Sequence, residues 1–168
     1  MRLPVLAIVV VAALAGPAAA QEQSPDHPDT FLVWSAGIID VVDHYPHAIV
    51  SVEWRCDAGR RVPSPWLAFE STARDQFYAF GMYADLPFAH GWVFTPSVGA
   101  AIFQEHNGLH LGYPLEFRTV VELTYGHGAM RFGACLGHYS NAYLGGTNRG
   151  TEYVKAVLIV PLSRRPGS

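Results

Sequence analysis

The sequence predicts an all-β protein, an eight-stranded antiparallel transmembrane β-barrel of the outer-membrane type. Three observations predict it: an export signal, short runs of alternating apolar and polar residues, and charges of both signs on the polar faces. The chain has 168 residues, 50% hydrophobic and 15% charged, which indicates one domain and excludes a disordered chain. Its net charge of −3 argues against nucleic acid as a partner.

The first 20 residues predict a secretory signal peptide. A positive residue, Arg2, precedes an apolar run over residues 3–14, and three alanines at 18–20 form a small-residue cleavage site. The alternative, a membrane anchor, needs a span of about 20 apolar residues, and this run is shorter. The predicted organisation is a signal peptide (1–20), a polar lead-in (21–30), the barrel (31–163) and a C-terminal tail (164–168).

Eight later runs alternate with a period of two, as strands with one apolar face do. In the seventh run, Met130 and Phe132 share the apolar face, whereas Arg131 and Gly133 lie on the other. Gly, Pro, Asn and Asp separate the runs, as expected at turns. The predicted strands cover residues 31–42, 47–55, 64–72, 76–86, 92–104, 113–125, 129–141 and 152–162.

Two architectures produce such alternation. A soluble barrel or sandwich buries the apolar face, whereas a transmembrane barrel turns it towards lipid. Mixed charges favour the second, because four acidic and four basic groups can pair inside a narrow barrel and leave no room for a ligand. These eight residues are Glu53, Arg55, Glu70, Glu116, Arg118, Glu122, Arg131 and Lys155.

Aromatic residues near the strand ends predict the girdles of a membrane barrel. An even number of strands puts both termini on the periplasmic side, so the connection over residues 142–151 is expected outside the cell. The predicted girdle residues are Trp34, Trp54, Trp66, Trp92, Tyr125 and Tyr143.

A candidate catalytic group lies at the outer end of the seventh strand. His138 and Ser140 are two residues apart, so their side chains share a face, and that face continues the lipid-facing apolar stripe. Glu152 opens the next strand with the same parity. Polar groups facing lipid need a reason, and a hydroxyl, an imidazole and a carboxylate together suggest a nucleophile, a base and an orienting acid. Asn141 and Asn148 flank them, either as oxyanion donors or as turn caps.

The same residues carry a resemblance to a known family. The run His138-Tyr139-Ser140-Asn141-Ala142, then Asn148-Arg149-Gly150 and Glu152, resembles the lipid A 3-O-deacylase (PagL-type) family of outer-membrane enzymes. That family's pattern is His-x-Ser-Asn-Ala, a later Asn-x-Gly, and a glutamate twelve residues after the serine. The motif covers residues 138–152, and the signal peptide and strand count extend the resemblance over most of the chain.

The resemblance implies a serine esterase that acts on the 3-position acyl ester of lipid A. Ser140 would be the nucleophile, His138 the base and Glu152 its orienting acid, with Asn141 and Asn148 supporting the oxyanion or the triad. It implies lipid A or lipopolysaccharide as the partner, the bacterial outer membrane as the location and no cofactor, and it leaves a homodimer open. The chain departs from outer-membrane barrels in its last residues, since Leu162 to Ser168 include no aromatic residue.

Two other functions fit the alternation: a non-enzymatic outer-membrane barrel, adhesive or structural, and a soluble periplasmic barrel that binds lipid inside. His106 and His110 are four residues apart in a predicted loop, where we expect contact with solvent or lipopolysaccharide rather than a metal. Cys56 and Cys135 lie on opposite faces of non-adjacent strands, so no disulfide is expected.

Overall fold

Alternating apolar and polar residues form nine strands in the part of the chain that the computed structural model describes, residues 28–42, 45–57, 63–127 and 130–164. No helix among these residues is long and apolar enough to cross a membrane. The predicted signal peptide lies outside the described residues. The strands are β1 (Pro28–Ile39), β2 (His47–Cys56), β3 (Ser64–Thr72), β4 (Gln76–Tyr83), β5 (Leu86–Ala89), β6 (Trp92–Gln104), β7 (Leu115–His127), β8 (Met130–Ser140) and β9 (Thr151–Arg164).

The sheet closes on itself into an antiparallel barrel because β1 pairs with both β2 and β9. Strands β4 and β5 pair with successive halves of β6, and Ala84 and Asp85 separate them. They are therefore two pieces of one barrel strand, which confirms the predicted count of eight. The break lies within the predicted strand 76–86, where Ala84 N still donates to Pro96 O at 3.1 Å.

Most strand limits differ from prediction by no more than three residues. β1 runs from Pro28 to Ile39 rather than over 31–42, because Asp40 has a positive φ of 66°, a backbone conformation that ends an extended strand. β7 is displaced in the opposite direction, to 115–127.

The apolar face of each strand points out of the barrel, as predicted. On β8 the side chains of Met130, Phe132 and Leu136 are 53–62% exposed, whereas Arg131 and Tyr139 are buried. The other strands follow the same alternation, except the short β5, whose four residues are all exposed. An apolar surface of this extent requires lipid around it, so the soluble sandwich and the soluble lipid-binding barrel are wrong.

The barrel interior contains ion pairs among buried aromatic and aliphatic side chains. Arg55 donates to both Glu122 oxygens, at 3.1 and 2.8 Å, and to Glu53 at 2.6 Å. Arg118 contacts the other Glu53 oxygen at 2.8 Å and Glu70 at 3.1 Å. The paired charges lie in the lumen, where pairing reduces the cost of burying each charge.

The eight predicted interior charges are all buried, which confirms their assignment to the inside. Lys155 contacts Glu70 at 3.0 Å, and Arg131 contacts Asp85 at 2.7 Å. Glu116 is the exception in pairing, since it forms no ion pair with any of the described residues.

The prediction that Trp66 belongs to an aromatic girdle is wrong. Its side chain is 1% exposed and lies inside the barrel, with the Arg118 guanidinium carbon 4.4 Å from the ring centre. Trp66 has the same parity as Glu70 on β3, so the alternation of the strand by itself predicts that Trp66 points into the barrel. The remaining five girdle residues are exposed: Trp34, Trp54, Trp92, Tyr125 and Tyr143.

Candidate active site

The candidate site lies where β8 ends and β9 begins. Ser140 is the last residue of β8, Thr151 is the first of β9, and the 141–150 loop joins them at one end of the barrel. The 73–75 and 105–114 loops lie at the same end, which we call the site rim. Strand pairing sets His138 directly opposite Glu152.

His138 and Glu152 contact each other on the outer wall. The imidazole Nδ1 is 3.2 Å from Glu152 Oε1, and the two side chains are 36% and 37% exposed. Because a carboxylate only accepts hydrogen bonds, this contact favours the tautomer that carries its proton on Nδ1. Nε2 is then free to accept a proton, as the base of a Ser–His–acid triad requires.

The Ser140 hydroxyl receives two hydrogen bonds from the loop that follows it. Asn148 Nδ2 donates to Oγ at 3.1 Å, and Ala142 N donates at 3.3 Å. The hydroxyl proton remains available, since both contacts use the oxygen as acceptor. Among the described residues His138 and Ser140 form no hydrogen bond; in serine enzymes this contact often tightens only when substrate is bound.

The two flanking asparagines occupy different places. Asn148 is half-buried and bridges Ser140 to the backbone, because its Oδ1 accepts from Asn141 N at 3.1 Å. The Asn141 side chain is fully buried, donates to Leu111 O at 2.9 Å and accepts from Tyr143 N at 2.9 Å. Asn148 therefore touches the hydroxyl, whereas Asn141 ties two loops of the site rim together.

The turn after Ser140 has a strained backbone. Ala142 and Tyr143 have positive φ values of 51° and 65°, which cost roughly 1–2 kcal/mol for each residue with a Cβ. Two backbone hydrogen bonds of 3.0 Å hold the turn, from Leu144 N to Asn141 O and from Gly146 N to Tyr143 O. Strain of this kind concentrates at functional sites, where the surrounding structure holds it in place.

Sequence reasoning missed the contribution of the 105–114 loop. The Asp75 carboxylate accepts from His106 N at 2.9 Å and from Leu109 N at 2.7 Å, and so anchors this loop across the rim. Leu109 and Leu111 are buried under it, and the Leu111 carbonyl then holds Asn141. The sequence signal that could have revealed this loop is a pair of leucines two residues apart, which indicates a buried side of the loop.

The described residues contain no group of three or more His, Cys, Asp or Glu that could hold a metal ion. His110 contacts Glu105 on the exposed surface of the rim. Cys56 and Cys135 are free thiols.

A closed antiparallel barrel with an apolar outer wall defines an outer-membrane β-barrel, and a hydroxyl, an imidazole and a carboxylate lie together at its rim. The family model "Lipid A 3-O-deacylase (PagL)" matches residues 50–161. The chain belongs to this family, which confirms the predicted family, the outer-membrane location and the deacylation of lipid A.

The likeness extends to solved structures, of which four chains match. One is described as "Crystal structure of the outer membrane enzyme PagL" and has a TM-score of 0.64 at 17% sequence identity. The alignment covers 79% of this chain and 99% of that one, so the two share the barrel fold. No curated protein matches at a significant level.

Proposed function

We propose that Ser140, His138 and Glu152 form the catalytic triad that hydrolyses the 3-O-linked acyl chain of lipid A. The observation that carries the proposal is the contact of 3.2 Å between His138 Nδ1 and Glu152, on the strand face that also bears Ser140. The carboxylate fixes the orientation of the ring and stabilises the imidazolium that forms during the reaction.

The reaction proceeds by acyl transfer to Ser140. Its Oγ attacks the ester carbonyl carbon while the hydroxyl proton passes to Nε2 of His138. The bond between the carbonyl carbon and the sugar oxygen then breaks, and His138 returns the proton to the departing 3-hydroxyl. Water attacks the acyl-serine by the same route, which releases the fatty acid and restores the hydroxyl. These steps need no cofactor.

Asn148 is the side chain best placed to stabilise the negative oxygen of the tetrahedral intermediate. Its amide already donates to Ser140 Oγ at 3.1 Å, so the carbonyl oxygen of a bound ester lies within its reach. Ala142 N donates to the same atom and supplies a second N–H group. Asn141 acts indirectly, since its backbone N–H holds the Asn148 side chain and its own amide holds the loop.

The outer wall offers a surface for the acyl chain. A shallow apolar depression of about 270 Å³ begins at Leu136 and Val154, the outward residues that follow His138 and Glu152 away from the rim. The site rim is then the extracellular end, where the headgroups of the outer leaflet bring the ester to Ser140 without extraction from the membrane. The apolar outward residues around the depression are Phe94, Val121, Leu123, Ala134, Leu136 and Val154.

Mass spectrometry of lipid A tests the function directly. Cells that produce the full-length protein should yield lipid A that lacks one 3-hydroxy acyl group, whereas cells without it, or with Ser140→Ala, should not. Unchanged lipid A in the presence of a folded, membrane-inserted protein would favour the non-enzymatic barrel. A homodimer stays open, and the signal peptide stays a prediction.

Asn148→Ala is expected to lower kcat by about 10²–10³-fold, the usual effect of removing one oxyanion donor. KM should change little, because the contact strengthens only as the negative charge develops. Initial rates on purified lipopolysaccharide in detergent measure both constants. The matched control is Thr147→Ala, an exposed neighbour in the same loop, and equal losses in the two variants would contradict the assignment.

A further inference from the structure

Gly150 lies against the imidazole of His138. It stands one step beyond the last pair of β8 and β9, Tyr139 with Thr151, and therefore beside Ser140. A Cβ atom on Gly150 would lie 2.5 Å from Cε1 and 2.9 Å from Nε2 of His138, and 2.8 Å from Tyr139 O. The ring thus occupies the space that a side chain at position 150 would take.

The backbone of Gly150 does not itself require glycine. Gly91, Gly112 and Gly146 have positive φ values between 77° and 86°, a region that favours glycine. Gly150 is not among the residues with positive φ, so its conformation is open to other amino acids. The feature of Gly150 that matters here is therefore its lack of a side chain, not its backbone conformation.

The two sides of the imidazole face different residues. Its Nδ1 contacts Glu152, directly across the strand pair, whereas Cε1 and Nε2 lie over Gly150, on the side of Ser140. The ring therefore lies in space that is open because position 150 has no side chain.

We infer that Gly150 is a positioning residue for catalysis: its missing side chain lets the His138 ring lie with Nδ1 on Glu152 and Nε2 towards Ser140. The inference rests on the proposed function of the triad. It adds a requirement beyond the three triad residues: the neighbouring chain segment must have no side chain at position 150.

Gly150→Ala should reduce kcat far more than it changes KM. To restore an ordinary carbon–carbon contact, the ring would have to move by about 1 Å. A displacement of that size between reacting groups costs about 10²-fold in rate, so we expect kcat to fall about 10²-fold and KM to stay within about twofold. Thr147→Ala, in the same loop, should keep the kcat of the unmodified protein.

A double-mutant cycle separates positioning from a general structural role. If Gly150 acts through the ring, Gly150→Ala should cost at least about tenfold less in a Glu152→Ala background, where the acid no longer holds the imidazole. Equal costs in the two backgrounds would overturn the inference, and so would unchanged kcat in the single variant. A serine-directed fluorophosphonate gives a second readout, because its reaction with Ser140 should slow in the same proportion.

Folding of the variants is scored by heat-modifiable migration on a gel after refolding in detergent. If Gly150→Ala fails to fold, the added substitution His138→Ala should restore folding, because it removes the ring that the new methyl group meets. If the double variant also fails to fold, glycine is needed at position 150 to avoid the Tyr139 carbonyl oxygen rather than the imidazole. That result would overturn the inference. The proposed function fails separately, if the unmodified chain releases no fatty acid or Ser140→Ala stays active.

Discussion

Replacing Ser140 or His138 by alanine is expected to abolish deacylation while the barrel stays folded. Serine is a weak nucleophile at neutral pH and depends on the neighbouring imidazole to take its proton. Members of such a unit are not additive, so each single variant and the double variant should all lose about 10⁴-fold or more in kcat. Both side chains lie on the outer wall and not among the interior ion pairs, so their loss leaves the lumen intact.

Release of 3-hydroxy fatty acid from lipopolysaccharide in detergent measures the loss, with heat-modifiable gel migration as the folding control. Thr119→Ala is the matched control, because Thr119 pairs with His138 on the other side and also faces outward. Wild-type activity in a folded Ser140→Ala variant would remove Ser140 from the mechanism. Glu152→Ala should lose less, since the acid orients the base and does not itself react.

Activity of the unmodified protein should also fall in acid. The general base must be neutral to accept the serine proton, and a protonated imidazole cannot do so. The loss should be reversible on return to neutral pH, which distinguishes it from denaturation.

The inside and outside of this barrel could be predicted from the sequence because a strand has a side-chain period of two. That period alone put Glu53 and Lys155 in the lumen and Phe132 on the wall, and the structure bears out all three. It also brought His138 and Glu152 together, since the two strands joined by one short loop had to pair. The prediction for Trp66 was wrong because it relied on the nearness of Trp66 to a strand end rather than on its parity.

The remaining parts of the site depend on contacts that no local pattern encodes. The Leu111 carbonyl reaches Asn141 across 30 residues of sequence, and Asp75 anchors the loop that supplies it. Gly150 could be recognised in the sequence as part of the Asn-x-Gly motif. Its contact with the imidazole could not, because that contact depends on the orientation of the ring. The interruption of the fourth barrel strand at Ala84 and Asp85 likewise had no signal in the alternation, because the apolar pattern continues through it.

Arg118→Leu is expected to destabilise the barrel by about 3–5 kcal/mol, the usual cost of removing one member of a buried charge network. The guanidinium contacts Glu53 at 2.8 Å and Glu70 at 3.1 Å, and it donates to the Tyr153 hydroxyl at 2.9 Å. It also covers the face of Trp66. Its removal leaves two buried carboxylates with one cation fewer.

Val121→Ala is the matched control on the outward face of the same strand, β7. Val121 points outward and is 45% exposed, so lipid or detergent fills the space that its truncation leaves, and the loss should be well below that of Arg118→Leu. Urea unfolding in lipid vesicles, followed by tryptophan fluorescence, gives both free energies of unfolding on one scale. Glu122→Leu should behave like Arg118→Leu, because it leaves Arg55 without its two-oxygen partner. Equal losses for the interior and the outward substitutions would mean that the charged groups are not the packed core of this barrel.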